Sequence, residues 1–431
     1  MRANLGLFLL GSIGLLLFAN RTARADEPKT PAPAAPPAPA ATSPAAPATA
    51  PSAPASTDAG KSADIGSLSL DSMLKSEVNA STFGSAAYRL PKQGFSVYIH
   101  GTANLGVVGQ DVKDPDGLRE VGGHPWTFAR MGFNLFAGAA INDVVFVESE
   151  MEAAPRGDAD DPMSIRYAQL DVRVLGDYLL VRVGEFFTPI GGLNVYPDPD
   201  YLHKFPETPL FYRHVVPQDW SEVGVQIFGR VPFGDLFGTY ALYAVNGLEQ
   251  PADSVGAGGA TGQGGALDEL AFNHLDLNSR AKSLGGRIGV ESNNGFGLGI
   301  SGYSGIYTAD GRHALHIGDI DASARFGQLN LKAEGAYTVQ EIDGGNLTKW
   351  GYYALASYEL LPEFEPMVRV DGIKIEGSPQ FDRTQLGIGF IVRPYPEKAS
   401  TLMLKTAYFA DWDGDGHFFA NRISSLLAVA F

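Results

Sequence analysis

Cysteine is absent from the 431 residues, which removes any disulfide framework, thiolate metal site, cysteine nucleophile or lipid-bearing cysteine. Charge is scarce. Asp, Glu, Lys and Arg make up 19% of the chain, against roughly 25% in an ordinary soluble domain. The charge that is present leans negative, with 32 Lys and Arg against 48 Asp and Glu and a formal net charge of −16. That is the wrong sign for a protein that offers a basic face to nucleic acid. Long apolar runs are missing as well. Leu5 to Phe18 spans 14 residues, short of the roughly 20 that a membrane-spanning helix requires.

That short run reads as an export signal. Arg2 supplies a positive start, Leu5 to Phe18 the apolar stretch, and Ala23-Arg24-Ala25 a small-x-small cleavage site, so residues 1–25 are expected to be a signal peptide cut after Ala25. Residues 26–64 follow as a Pro/Ala-rich disordered spacer. Pro28 to Pro54 holds 10 of the 28 prolines, with Lys29 as its charge and no aromatic residue, and such a segment cannot bury enough surface to offset its ordering entropy. Extended at about 3.1 Å per residue it would reach about 80 Å, a length that suits either a passive tail or a tether toward the cell wall. Residues 65–94 form a lead-in. Within it Ile65 to Val78 predicts one short amphipathic helix, with Leu68, Leu70, Met73 and Leu74 on one side.

From Phe95 the pattern changes to period two. Positions 95, 97, 99, 103, 105 and 107 are apolar while Ser96, His100, Thr102 and Asn104 interleave them. Sixteen such segments run from 95–109 to 418–431, the twelfth placed at 349–360. Their connections divide by parity. Asn142-Asp143, Gly176-Asp177 and Gly327-Gln328 join even to odd segments, whereas the odd-to-even joins run 110–125, 153–162, 187–220 and 247–282, then shorten to about seven residues. Tight turns on one rim and long loops on the other mark a 16-stranded antiparallel transmembrane β-barrel, all-β, over residues 95–431. A closed sheet satisfies its backbone without a long apolar run, and alternating faces bring the mean hydropathy near neutral, as its value of −0.04 shows.

Several motifs then fall on these strands. Arg130-x-Gly-Phe, Glu148-Ser-Glu, Tyr167-Ala-Gln-Leu-Asp and Val183-Gly-Glu-Phe-Phe-Thr-Pro occupy the second to fifth, Arg393-Pro-Tyr-Pro a late turn, and Phe431 closes an alternating last strand. Over residues 128–431, motif by motif, the chain resembles the phosphate-selective porin family of outer-membrane barrels. The resemblance implies a homotrimeric diffusion channel in the outer membrane of a Gram-negative bacterium. It also implies that Phe431 is the assembly signal read by the barrel assembly machinery, and that outer-membrane lipid and small hydrophilic solutes or ions are the partners.

A channel's chemistry is its inward face. Alternation places Arg130, Glu148, Glu150, Asp171, Arg173, Arg182, Arg230, Arg287, Arg325, Lys332 and Arg369 there. As a set the arginines would attract anions; paired across strands they would only neutralise their neighbours. Inward acids at Glu148, Glu150, Glu152, Asp319 and Asp321 balance the bases, which leaves the sign of the selectivity open. The loop 187–220 is rich in proline and aromatics and poorly suited to dangling in water. It is expected to fold inward and narrow the barrel, with Lys204, Arg213 and His214 facing Asp198, Asp200 and Glu207; a lid on the outer rim is the alternative.

Asp411, Asp413 and Asp415 repeat the first half of a calcium loop, but its twelfth position is Arg422 where a bidentate Glu is needed. A hairpin tip is the competing reading, and no other cofactor is implied. Ser, His and Asp are scattered without a nucleophile turn, so an enzyme stands behind a channel, as does a structural barrel tethering the envelope through the spacer.

Overall fold

The computed structural model describes residues 94–112, 126–154, 163–194, 203–250, 267, 270, 282–308, 310–378, 381–396 and 402–431. The signal peptide, the spacer, the lead-in up to residue 93, and Asp198 and Asp200 lie outside the described residues.

Among the described residues sixteen strands follow in order: β1 Phe95–Val112, β2 Thr127–Ile141, β3 Val145–Ala153, β4 Met163–Leu175, β5 Leu179–Phe187, β6 Ser221–Phe233, β7 Leu236–Val245, β8 Ser283–Ser292, β9 Gly297–Ile306, β10 Ala314–Phe326, β11 Leu329–Ile342, β12 Gly345–Tyr358, β13 Phe364–Ile375, β14 Arg383–Val392, β15 Leu402–Asp413 and β16 Phe418–Ala430. Each pairs antiparallel with its sequence neighbours. The last returns to the first, in register from Thr102↔Ala430 to Val112↔Ala420. Phe431 extends that seam, exchanging backbone hydrogen bonds of 2.9 Å with Gly101 in both directions. Closure leaves the sheet no edge, which is the condition for backbone to survive in hydrocarbon.

The polarity of the wall is inverted relative to a soluble protein. Outward positions carry exposed apolar side chains, Ile99 at 70% and Leu284 at 67%, whereas inward Glu150, Lys349, Asp371 and Gln385 are at 0–1%. Period two produces this directly, because successive side chains point to opposite faces. In β3, for example, Val147 is exposed between buried Phe146 and Glu148. An apolar exterior around a polar interior is the arrangement of a sheet solvated by lipid.

Turn chemistry closes the short joins. At the β2–β3 turn Asn142 and Asp143 adopt φ of 49° and 56°, the left-handed region that these two residues tolerate best after glycine. Asn142 also ties down the start of β1, accepting from the Gly94 amide through Oδ1 at 3.1 Å and donating its own N–H to Gly94 O at 2.8 Å. One join departs from the sequence expectation. β12 begins at Gly345 rather than 349, so only Asp343 and Gly344 separate it from β11. Gly344 and Gly345 both take positive φ and let the chain reverse at once where a loop of about seven residues was expected. Conversely, 393–401 separates β14 from β15 on the rim expected to be tight, so the parity rule is strict only in the first half of the barrel.

Gly184, inside the motif on β5, has φ 114°, and a Cβ there would run into the carbonyl oxygen of Ala168 on β4. That oxygen belongs to the backbone and cannot yield. Gly184→Ala is therefore expected to destabilise the barrel by about 1–3 kcal/mol, read as a lower urea midpoint for the loss of heat-modifiable gel mobility. An unchanged midpoint would show that β4 and β5 are not packed as described.

Candidate functional site: the barrel interior

The interior is organised by the segment between β5 and β6. Its base is pinched shut: Thr188 N donates to Trp220 O at 3.0 Å, Trp220 N donates to Asn194 Oδ1 at 2.8 Å, and Asn194 Nδ2 donates to Thr188 O at 2.9 Å. From there the described part of the loop reaches inward-pointing residues on the opposite wall. Gly191 N donates to Ser301 Oγ on β9 (3.0 Å), Leu210 N to Asp371 Oδ1 on β13 (3.0 Å), and Tyr212 OH to Glu334 Oε1 on β11 (2.5 Å). A loop bonded to inward side chains of β8 through β16 lies within the cylinder.

The wall returns the bonds with cations aimed at loop carbonyls. Arg287 donates to Gly191 O (3.2 Å), Lys349 to His214 O (3.1 Å), Lys405 to His203 O, and Arg369 to Glu207 O (2.6 Å) and Thr208 O (3.3 Å). Gly191 sits at φ 69° where a Cβ would collide with the Glu334 carboxylate, so glycine is required where the loop presses on the wall. Behind these bonds an apolar cluster forms between loop and wall. Ile190, Phe205, Phe211, Val215, Val216 and Trp220 of the loop pack with Tyr303, Tyr353, Leu355, Met367 and Phe409, all nearly fully buried.

Arg369 is the centre of this arrangement. Its guanidinium lies 4.7 Å from the Phe205 ring centroid and 5.4 Å from that of Phe409, and it bonds Asp371 Oδ2 (2.7 Å) and Gln385 Oε1 (3.2 Å) besides the two loop carbonyls. A planar fork sandwiched by aromatics can serve all these partners together; an ammonium cannot.

The sequence placed Arg369 among charges that line a pore; it is a fastening of the loop. Pairing also accounts for most of the other inward charges. Arg182 forms a bidentate pair with Asp171 (2.7 and 2.8 Å), Arg287 pairs with Asp321, Tyr98 donates to Glu148, and Asn134 donates to Glu150 at 3.0 Å. Arg173 pairs with Asp143 at the β2–β3 turn, Arg325 reaches Glu359 at 3.3 Å beside the β10–β11 turn, and Arg230 lies 3.4 Å over the Phe237 ring. Of the loop candidates, Lys204 pairs with Glu365 at 3.0 Å, which also holds Arg393, and the His214 ring packs 5.6 Å from Phe381.

The Asp411 segment separates in the same way. Asp411 faces inward and accepts from Arg422 (2.8 Å) and Gln385 (2.5 Å), while Asp413 Oδ1 accepts the amides of Asp415 and His417 across the turn. Arg422, the residue that spoils the calcium pattern, is thus the partner of its first carboxylate. Among the described residues no group of three or more His, Asp or Glu is placed to hold a metal.

Between the loop and the wall of β1, β2, β13, β14 and β16 a cavity of about 350 Å³ remains open. Arg130, Arg213, Arg383 and Arg422 line it with Glu207, Thr208 and Ser424, and an apolar edge of Leu210, Ile373 and Phe381. Arg213 holds φ 108°, a conformation costly for any residue with a Cβ and maintained only where the surroundings impose it. Sequence reasoning missed Lys349, Lys405, Gln385 and Arg422 as residues of this interior. Lys405 and Arg422 stand at inward positions of the alternation, and Lys349 stood at the edge of a strand begun too late.

Burial alone would raise the Glu207 pKa, but the Arg422 guanidinium, bonded at 2.7–2.9 Å, outweighs it and holds this carboxyl below the ordinary carboxylate value.

No family model matches the chain. Among solved structures, OmpF of Salmonella typhi in complex with daunomycin superposes with a TM-score of 0.54 at 12% identity, covering 79% of this chain and 99% of that one. The anion-selective porin of Comamonas acidovorans gives 0.50 at 12%, covering 78% and 99%. OmpT, an outer membrane protein of Vibrio cholerae, gives 0.50 at 9%, covering 80% and 100%. At these identities the likeness is one of fold: the chain is a closed barrel of the porin kind. In sequence it is 24% identical over 237 residues to an uncharacterised protein of Aquifex aeolicus (strain VF5), a match covering 54% of this chain. The matched stretch spans 50% of that relative's length.

Two outcomes follow from the fastening of the loop. Arg369→Ala strands Asp371 in a buried site and is expected to cost about 3–5 kcal/mol, with new protease cleavage inside 203–220; resistance equal to wild type would show that the loop is held without it. A carboxyl whose folded pKa is depressed stabilises the fold above its ordinary range, and that contribution disappears as pH falls through the lowered value. Acidification below about pH 4.5 should therefore raise loop cleavage in wild type, and Glu207→Gln should flatten that dependence.

Proposed function

We propose that the protein is an outer-membrane channel for passive diffusion of small hydrophilic solutes or ions, and that the loop between β5 and β6 narrows it to the arginine-lined cavity. The observation that carries this reading is the inverted wall, apolar outside and charged within, with an interior that retains a sizeable polar opening beside the loop. A barrel built for rigidity alone has no use for such an opening.

The opening carries Arg130, Arg213, Arg383 and Arg422 against Glu207, which favours a preference for anions and agrees with the motif resemblance to phosphate-selective channels. The resemblance also underlies homotrimeric assembly and recognition of Phe431 by the barrel assembly machinery. Phe431 stands at the seam, 52% exposed, its ring 6.0 Å from that of Phe133, accessible from outside the cylinder. No catalytic step is assigned.

Purified protein in planar bilayers should give discrete ohmic conductance steps; a membrane-inserted barrel that never conducts would remove the channel reading. Under a salt gradient the wild-type reversal potential should show anion preference, and Arg383→Glu together with Arg130→Glu should carry that preference toward cations. A wild-type preference for cations would leave the channel standing and eliminate the anion assignment.

A further inference from the structure

Beneath the loop three carboxyl groups of the wall converge. Glu334 on β11 stands directly opposite Asp321 on β10 and diagonally from Asp319, whose own partner is Ala336. Asp319 and Glu334 are 5% and 4% exposed. The loop closes the cluster from the lumen side: a Cβ on Gly192 would meet Asp321 Oδ1 and Glu334 Oε2 at 3.3 Å, and Tyr212 OH donates to Glu334 Oε1.

The donors here are unevenly shared. Arg287 of β8 directs Nη1 and Nη2 at the two oxygens of Asp321 (2.5 and 2.8 Å), and Nη1 also at Gly191 O. Both oxygens of Asp319 and Oε2 of Glu334 are buried and receive no donor, while Arg287 Nε is buried without an acceptor. The Asp319 carboxyl nevertheless faces that of Glu334 at hydrogen-bonding range. Two ionised carboxylates offer acceptors only and cannot bond each other; buried at such range they repel, with nothing to offset their desolvation. A single proton between them turns that repulsion into a charge-assisted O–H···O bond. The other charged or titratable groups around the pair are Asp321 and Arg287, Lys332 one inward position along β11, Tyr353 opposite Glu334 on β12, and Tyr212 of the loop; β9 brings Ser301, which does not titrate, opposite Asp319.

We propose that Asp319 and Glu334 hold one proton between their carboxyl groups, and that this shared proton latches the loop to β10 and β11. Released to water as the pH rises, it leaves two buried carboxylates face to face under Gly191, Gly192 and Tyr212, and their repulsion loosens the loop. The sign is opposite to that of Glu207, whose contribution fades as the pH falls. The latch belongs to the folded barrel and does not depend on conduction, so its test uses no channel measurement.

The experiment combines infrared spectroscopy and proteolysis, on the full chain folded in detergent. At pH 7 the wild type should show the C=O stretch of a protonated carboxyl group, and Asp319→Asn, whose amide donates to Glu334 permanently, should lose that band while keeping the loop attached. Raising the pH from about 6 to about 9, short of the ordinary Lys and Tyr ranges, should remove the band from the wild type and increase cleavage inside 203–220; in Asp319→Asn cleavage should not increase. If Asp319→Asn does not fold, Glu334→Gln serves, and the wild-type titration decides alone. Carboxyl bands identical in wild type and Asp319→Asn would overturn the proposal, by showing both acids ionised with a water linking Asp319 to Arg287 Nε in place of the proton. Wild-type cleavage unchanged over this pH range would overturn it as well.

Discussion

A segment of backbone folded into a barrel must find donors for its carbonyls, and here charged side chains of the wall supply them. Arg287, Lys349, Lys405 and Arg369 each aim at a loop carbonyl, a charge-assisted bond stronger than a neutral one. The consequence runs through the whole interior. Cations so placed are committed to holding the loop, the carboxylates around them are committed to balancing the cations, and the larger cavity lies beside the loop, lined by Arg130, Arg213, Arg383 and Arg422.

That division explains why acid and base look balanced in sequence. Asp171 with Arg182 and Asp321 with Arg287 are cross-strand or near-neighbour pairs inside a wall largely cut off from bulk water, where an unpaired charge is expensive. The basic cluster at the large cavity is assembled differently, from β2, β14, β16 and the loop, with Glu207 opposed to four arginines. The two populations of charge are indistinguishable by residue type and are separated only by where the loop lies.

The fold was legible because lipid on one side and charge on the other impose a strict period of two, visible from Phe95 to Phe431. Turn residues marked most joins. Where they misled, as at Gly344 and Gly345, the same glycines that suggest a loop in fact make a two-residue reversal possible. The interior was legible only as a list of inward positions. Arg369 and Arg130 look alike along their strands, yet one clamps the loop and the other lines the larger cavity, because residues more than 150 positions apart, such as Thr208 and Arg369, meet only after closure. The Asp411 run shows the same limit: a local pattern suggests a cation site, and a strand neighbour, Arg422, claims its first carboxylate.

The loop is fastened to the inner wall while a separate opening persists beside it. Because the chain has no cysteine, Gly192→Cys with Asp321→Cys, whose Cβ atoms would stand 3.3 Å apart across loop and wall, close to the span of a disulfide, would install a unique lock. The decisive quantity is the single-channel conductance of that locked barrel before and after reduction of the disulfide. The same open-channel conductance in both states is predicted, since the lock adds nothing to a loop already held. A conductance that is absent while locked and restored on reduction would contradict it, by showing that the loop must leave the wall for solute to pass.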